Sequence, residues 1–404
     1  MNIDWQRRAI ESIHHGSLTN SKRPTCFVKE HYPSHVSKGD GCYLYDSDGK
    51  KYIDFICALG TNLVGYSNPD INDHVIKQIY KGTLYSFGST LEVQAAEKLK
   101  ELFPFVGKLR FLKTGSEAAS ASLRIAMAHT GRFNVLSHGY HGWDDCFVSL
   151  TPPAEGVPIQ PHISKFNEDL NQIDETVAAV IIEPIVTELS KERILFIQEL
   201  QEKCKKTGTL LIFDEIITGF RFPKYSFSNY SGIQPDILLL GKAIGGGFPL
   251  SVVMTKKGIG EDKEWFISST FAGDTIAISG MMKTIDLLNS KYNLDLLWSQ
   301  GEAFINSFNE IEPDIVKING YSTRGVFVGS DMNKAVFFQE ACKAGILFGS
   351  SFWFNFTHQK VSEIVLNSCR DILSRIKNKQ AHLEGTLPST PFAQKVREQK
   401  NDKN

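Results

Sequence analysis

The sequence predicts an α/β protein whose large domain carries a mostly parallel, doubly wound sheet. Three runs predict it: residues 177–184 (VAAVIIEP), 209–221 (TLLIFDEIITGFR) and 235–249 (PDILLLGKAIGGGFP). Each holds at least four consecutive apolar residues, the pattern of a buried strand. A helical segment over 197–206, stopped by Gly208, separates the first two. Strands separated by helices give a parallel sheet with its site at the carboxyl ends of the strands. Those ends carry Glu183, then Asp214 and Glu215, then Lys242.

The remaining elements follow along the chain. Residues 1–22 read as a short amphipathic helix and a loop. Residues 41–55 (GCYLYDSDGKKYIDF) read as a β-hairpin: Asp48-Gly49 supplies a positive-φ turn and both flanks alternate apolar with polar. A helix over 92–103 leads to a strand over 109–114, which meets Gly115-Ser116-Glu117-Ala118 at the start of an alanine-rich helix ending near Gly131. Glycine at such a junction lets the backbone approach an anion. Ser116 can cap the helix, and the free N–H groups and helix dipole favour a phosphate there. An ordinary capped helix would read the same way. The next strand ends in His138-Gly139-Tyr140-His141-Gly142. No third ligand stands at useful spacing from the two histidines, so both read as satisfied polar residues and no metal is expected. A helix over 275–289 leads to a C-terminal part with an aromatic cluster at Phe348 and Phe352-Trp353-Phe354, either core or a lid. Lys377 onward is polar and expected to be mobile.

Two of the strand ends suggest a chemistry. An ammonium beside a buried run is costly unless paired or used, and a desolvated lysine forms Schiff bases with carbonyls. Alone, Lys242 would read as a surface lysine just past a strand. Asp214 precedes it by about one strand-to-strand crossover. A carboxylate and a lysine at two such ends can converge on one ligand. Pyridoxal 5′-phosphate needs both, a lysine for its aldehyde and an acid for its ring nitrogen.

FDEIITGFR and PDILLLGKAIGGGFP, with KTGSEA and YHG upstream, resemble the class III (fold type I) aminotransferases over roughly residues 23–375. The glutamate-1-semialdehyde 2,1-aminomutases of that group are the nearest in pattern. The resemblance implies a pyridoxal 5′-phosphate enzyme with a large cofactor-binding domain over 66–290. It implies a small α+β domain built from both chain ends, 1–65 and 291–376, ahead of the polar tail 377–404. Lys242 then carries the cofactor and moves protons, and Asp214 pairs with the ring nitrogen. Tyr140 and Ile216 clamp the ring, and Gly115 and Ser116 anchor the phosphate. Thr270, in Ser269-Thr270-Phe271, reaches the phosphate of the neighbouring subunit of a homodimer. Glu183 lies near the substrate side or accepts structural hydrogen bonds, and Arg23 matches loosely an arginine that binds a substrate carboxylate. Two departures separate the chain from the aminomutases: Leu59 stands where they carry tryptophan, and the loop over 147–157 is short.

Composition bounds the rest. The 404 residues are 42% hydrophobic and 22% charged with a formal net charge of −1, an ordinary globular balance that points to neither nucleic acid nor an anionic membrane. No apolar segment reaches membrane-spanning length. Seven dispersed cysteines without a CxxC pair fit reduced thiols in the cytoplasm. An aminotransferase acting on a small amine or amino acid is the first reading. Another pyridoxal reaction on the same scaffold (aminomutase, decarboxylase or epimerase) is the second, and a catalytically silent binding subunit the third.

Overall fold

A computed structural model describes residues 4–150, 156–158 and 160–389. The chain forms two compact units, one from its two ends (residues 4–69 and 295–389) and one from the middle (70–294).

The chain-end unit begins with the helix Trp5–Ser12 and the strands β1 (Val36–Asp40), β2 (Tyr43–Asp46) and β3 (Lys51–Asp54). Strands β2 and β3 form the expected hairpin, in the register Tyr43 opposite Ile53 and Leu44 opposite Tyr52. Its turn works because Asp46 Oδ1 accepts the N–H groups of Asp48 and Lys50 while Gly49 takes φ +85°.

The middle unit contributes β4 (Val106–Leu112), β5 (Asn134–His138), β6 (Ile163–Lys165), β7 (Val177–Ile182), β8 (Leu210–Glu215), β9 (Ile237–Leu240) and β10 (Ser251–Lys256). They form one sheet in the order β4-β10-β9-β8-β7-β5-β6. All adjacent pairs from β6 to β9 run parallel, and β10 runs antiparallel to both β4 and β9. Every residue of β7, β8 and β9 is buried, as their unbroken apolar runs require. Helix Gly115–Thr130 packs across β7 to β10, its alanines allowing close approach, and ends on Gly131 at φ +70°. Helix Lys191–Thr207 crosses over between β7 and β8 and ends on Gly208 at φ +68°. Strand β10 carries no helical crossover before it and escaped the sequence reading.

The chain returns to the first unit with β11 (Lys317–Tyr321), β12 (Arg324–Val328), β13 (Ile346–Leu347) and β14 (Ser351–Trp353). Strand β13 joins the hairpin sheet parallel to β3, closing the two chain ends on each other, and β11-β12-β14 form a second, antiparallel sheet. The aromatic cluster is core: Phe348, Phe352 and Phe354 are at most 1% exposed. The Phe55 ring centre lies 5.1–5.5 Å from those of Phe304, Phe348 and Phe352, stacked on the first and last and tilted against Phe348. The last helix, Ser362–Lys377, ends where the polar tail was expected to become mobile. Instead, the buried amide of Gln339 accepts Glu384 N–H at 2.8 Å and donates to His382 O at 3.0 Å, and Ser389 N–H bonds Thr25 O at 2.7 Å. The rest of that tail, from 390, lies outside the described residues.

Candidate active site

The parallel register sets four strand ends in one row: His138 beside Ile182, Ile182 beside Phe213, and Phe213 beside Leu238. One residue further on, Glu183 leaves β7 and Asp214 lies in β8 opposite Leu239. Lys242 follows two residues after the end of β9 and starts a single 3-10 turn, Lys242–Gly245. Its φ of +47° is left-handed, which costs a non-glycine residue roughly 1 kcal/mol or more. Such conformations persist only where the surroundings hold them, and they cluster at functional sites.

Asp214 is 4% exposed. Its Oδ1 accepts Ile216 N–H at 3.1 Å, and its Oδ2 lies 2.7 Å from His141 Nδ1. The other ring nitrogen, Nε2, donates to His138 O at 3.0 Å. His141 is thus the satisfied residue the sequence suggested, and its partner is the Asp214 carboxylate at the end of β8. Spacing alone could not show this, because β7 lies between β8, which carries Asp214, and β5, whose following loop carries His141. A carboxylate offers about four acceptor positions, so Asp214 keeps room for a further donor.

Ile216 is wedged between two glycines. A Cβ on Gly115 would stand 2.6 Å from Ile216 Cδ1, and one on Gly241 would stand 3.1 Å from Ile216 Cγ2. Gly115, Ile216 and the peptide that precedes Lys242 are therefore in direct contact. The loop after β5 is drawn in by two more glycines. A Cβ on Gly139 would stand 2.9 Å from Glu183 Oε1, and one on Gly142 would stand 2.1 Å from Ser116 Oγ. Both have φ above +100°, a region open to glycine. In consequence Tyr140 N–H bonds Glu183 Oε1 at 2.9 Å and Trp143 N–H bonds Ser116 Oγ at 3.1 Å. Of the two readings of Glu183, these contacts match the acceptor of a backbone bond. Burial, and then the charge of Glu183, push the Tyr140 phenol above its usual range.

Helix Gly115–Thr130 is capped by Thr114, not by Ser116 as the sequence suggested. Thr114 Oγ1 accepts Glu117 N–H, and Glu117 Oε2 accepts the N–H groups of Lys113 and Thr114. This capping box leaves the N–H groups of Gly115 and Ser116 at the open end of the helix, beside the Ser116 hydroxyl. A 16-residue helix with these donors at its N-terminus suits an anion.

Thr270 is exposed, on a turn closed by Ala272 N–H to Ser269 O and Asp274 N–H to Phe271 O. Arg23 belongs to the chain-end unit, where its Nε is buried without a hydrogen-bond partner among the described residues. Leu59 is in the same unit, at φ +59°. Of the short loop, 151–155 lie outside the described residues. Among the described residues no group of three or more His, Cys, Asp or Glu could hold a metal, and no helix is long and apolar enough to cross a membrane.

The family model described as aminotransferase class-III matches residues 27–353. The chain belongs to the class III aminotransferases. It is 30% identical over 308 residues to a glutamate-1-semialdehyde 2,1-aminomutase of Syntrophobacter fumaroxidans, covering 69% of this chain and 70% of that protein. It is 31% identical over 295 residues to a 2′-deamino-2′-hydroxyneamine transaminase of Streptomyces kanamyceticus, covering 71% and 74%. Among solved structures, the pyridoxal phosphate internal aldimine form of the FumI protein of Sphingopyxis sp. MTA144 shares the fold with a TM-score of 0.86 at 21% identity, over 95% of this chain and 98% of that one. This class III aminotransferase has the fold type I architecture the sequence predicts, and its cofactor is pyridoxal 5′-phosphate.

The residues present fit that group. Asp214 is a buried acceptor with unused capacity, the two glycines around Ile216 leave backbone where a side chain would intrude, and a helix end offers donors to a phosphate.

Proposed function

We propose that the enzyme transfers an amino group between a small amine or amino acid and a carbonyl compound, with Lys242, Asp214 and Tyr140 as its working side chains. The observation that carries this reading is the contact chain Gly115–Ile216–Gly241–Lys242 beside the Asp214–His141 pair. Bound pyridoxal 5′-phosphate supplies an aldehyde for amines and a ring that takes up electrons. Asp214 would hold the ring nitrogen, Ile216 and Tyr140 the ring faces, and Gly115 and Ser116 the phosphate. Lys242 Nζ would hold the cofactor through its aldehyde carbon and would move the proton at the substrate carbon. Positioned by His141 and Ile216 N–H, Asp214 would present its carboxylate to the ring nitrogen. At an effective dielectric near 20 such a pair is worth about 4 kcal/mol at contact distance.

Leu59 in place of the aminomutase tryptophan favours amino-group exchange over aminomutase chemistry. A panel of amines added to the cofactor-loaded enzyme without a keto acid tests this. Stoichiometric loss of the visible cofactor absorbance, with release of the matching carbonyl compound, is expected. A product isomeric with its substrate, or released carbon dioxide, would contradict it.

A homodimer is proposed as the working form, with Thr270 serving the partner's phosphate. Support comes from large apolar side chains exposed on the middle unit: Tyr80 and Phe87 at 88%, Phe266 at 80%, Trp143 at 72% and Phe271 at 60%. Sedimentation of the holoenzyme at micromolar concentration should give a dimer, and a fully active monomer would refute it. The seven cysteines, none in a disulfide among the described residues, support a cytoplasmic setting.

A further inference from the structure

Lys113 has no part in the reading above, yet its side chain joins three segments that do. Its Nζ lies 2.7 Å from Asp274 Oδ2, with both side chains mostly buried, at 14% and 20% exposure. The same Nζ is 3.4 Å from Pro249 O, at the end of the loop that Lys242 begins. Its backbone N–H bonds Glu117 Oε2, so its main chain is part of the capping box ahead of Gly115 and Ser116. Asp274 in turn closes the turn that carries Thr270, and its Oδ1 accepts Ile276 N–H as the cap of helix Thr275–Ser290.

Both helices are capped without the bridge, one by Thr114 and Glu117 and the other by Asp274 Oδ1. The ion pair therefore adds little to either helix. What it fixes is the placement of one capped end relative to the other. A mostly buried, charge-assisted bond of this length is directional and stronger than an exposed pair.

We infer that Lys113 and Asp274 form a positioning pair, which fixes the Thr114–Ser116 loop, proposed to hold this chain's phosphate, against the turn of Thr270, proposed to reach the partner's phosphate. The inference rests on the proposed assignment of Gly115 and Ser116 to the phosphate.

The test compares the affinity of the apoenzyme for pyridoxal 5′-phosphate and for pyridoxal, which lacks the phosphate, by fluorescence titration. Lys113→Met removes the cation. Asp274→Asn weakens the pair while keeping a good helix cap. Each should weaken pyridoxal phosphate binding about tenfold, the size expected when one charge-assisted bond is lost. Pyridoxal affinity and the Tm of the apoenzyme should stay near wild type. The double variant should be no worse than the poorer single one, and Lys113→Arg should recover most of the affinity.

Unchanged pyridoxal phosphate affinity in both single variants would overturn the inference alone. Equal weakening of both ligands would also overturn it, since that is what general loosening produces. A wild-type enzyme that binds pyridoxal as tightly as its phosphate would overturn the phosphate assignment, and the inference with it.

Discussion

Asp214 and Glu215 are neighbours at one strand end, both buried, yet they have opposite fates. Successive residues of a strand face opposite sides of its sheet. Glu215, fully buried, accepts Thr218 Oγ1 at 2.8 Å, Phe227 N–H at 2.6 Å and Ser228 N–H at 2.8 Å. Its acceptor capacity is spent on folding the loop and short helix Phe227–Ser231 back onto β8. Asp214 accepts one backbone N–H and pairs with one imidazole, and keeps capacity for a ligand. Burial is therefore a poor guide to which carboxylate works. The partner list is the better one.

This contrast is open to attack by substitution. Asp214→Asn should lower kcat by about 10²-fold or more, the range seen when a fixed group that stabilises developing charge is removed. Its Tm should change little. Glu215→Gln should do the reverse. The amide turns an N–H₂ toward backbone donors, and a buried unsatisfied group costs about 1–3 kcal/mol. Urea unfolding should show that loss, while kcat per bound cofactor stays near wild type. Exchanged phenotypes would mean that the two roles have been assigned the wrong way round.

His141→Asn should have a smaller effect, a fall of about tenfold in kcat, as for loss of a partner that orients a functional ligand. The contrast sharpens if the fall is in kcat, with Tm preserved. A His141 that only filled space would lower Tm and spare kcat.

The smallest effect is in pH dependence. Burial pushes the Glu215 carboxyl above its ordinary value of 4.5, against the opposing pull of its three donors. A folded-state value above the unfolded one means that the native state binds this proton more tightly. Its contribution to stability is full below pH 4.5 and is lost as pH rises through the elevated folded-state value. Glu215→Gln should remove that slope from the stability–pH curve, and an unchanged slope would show that other groups produce it.

Much of this was legible in the sequence because it rests on local rules. The apolar runs of β7, β8 and β9 could only be buried strands, and Gly131 and Gly208 mark helix ends by backbone geometry. Long-range contacts were less legible. Strand β10 pairs antiparallel between β4 and β9, which no local pattern announces. The His141–Asp214 pair joins the loop after β5 to β8 across β7, and the cap at Thr114 won over Ser116 because Glu117 reaches back to the peptides of Lys113 and Thr114. Residues 380–389 have a polar composition that suggests mobility, but Gln339, buried on another helix, supplies the amide that holds them.

The proposed mechanism turns on Lys242 as the residue that would carry the cofactor. Borohydride reduction of the holoenzyme fixes the cofactor to its lysine, and peptide mass spectrometry identifies that lysine. The adduct should fall on the peptide containing Lys242, and Lys242→Ala should give no adduct and no turnover. An adduct on any other lysine, or turnover in Lys242→Ala, would contradict the account.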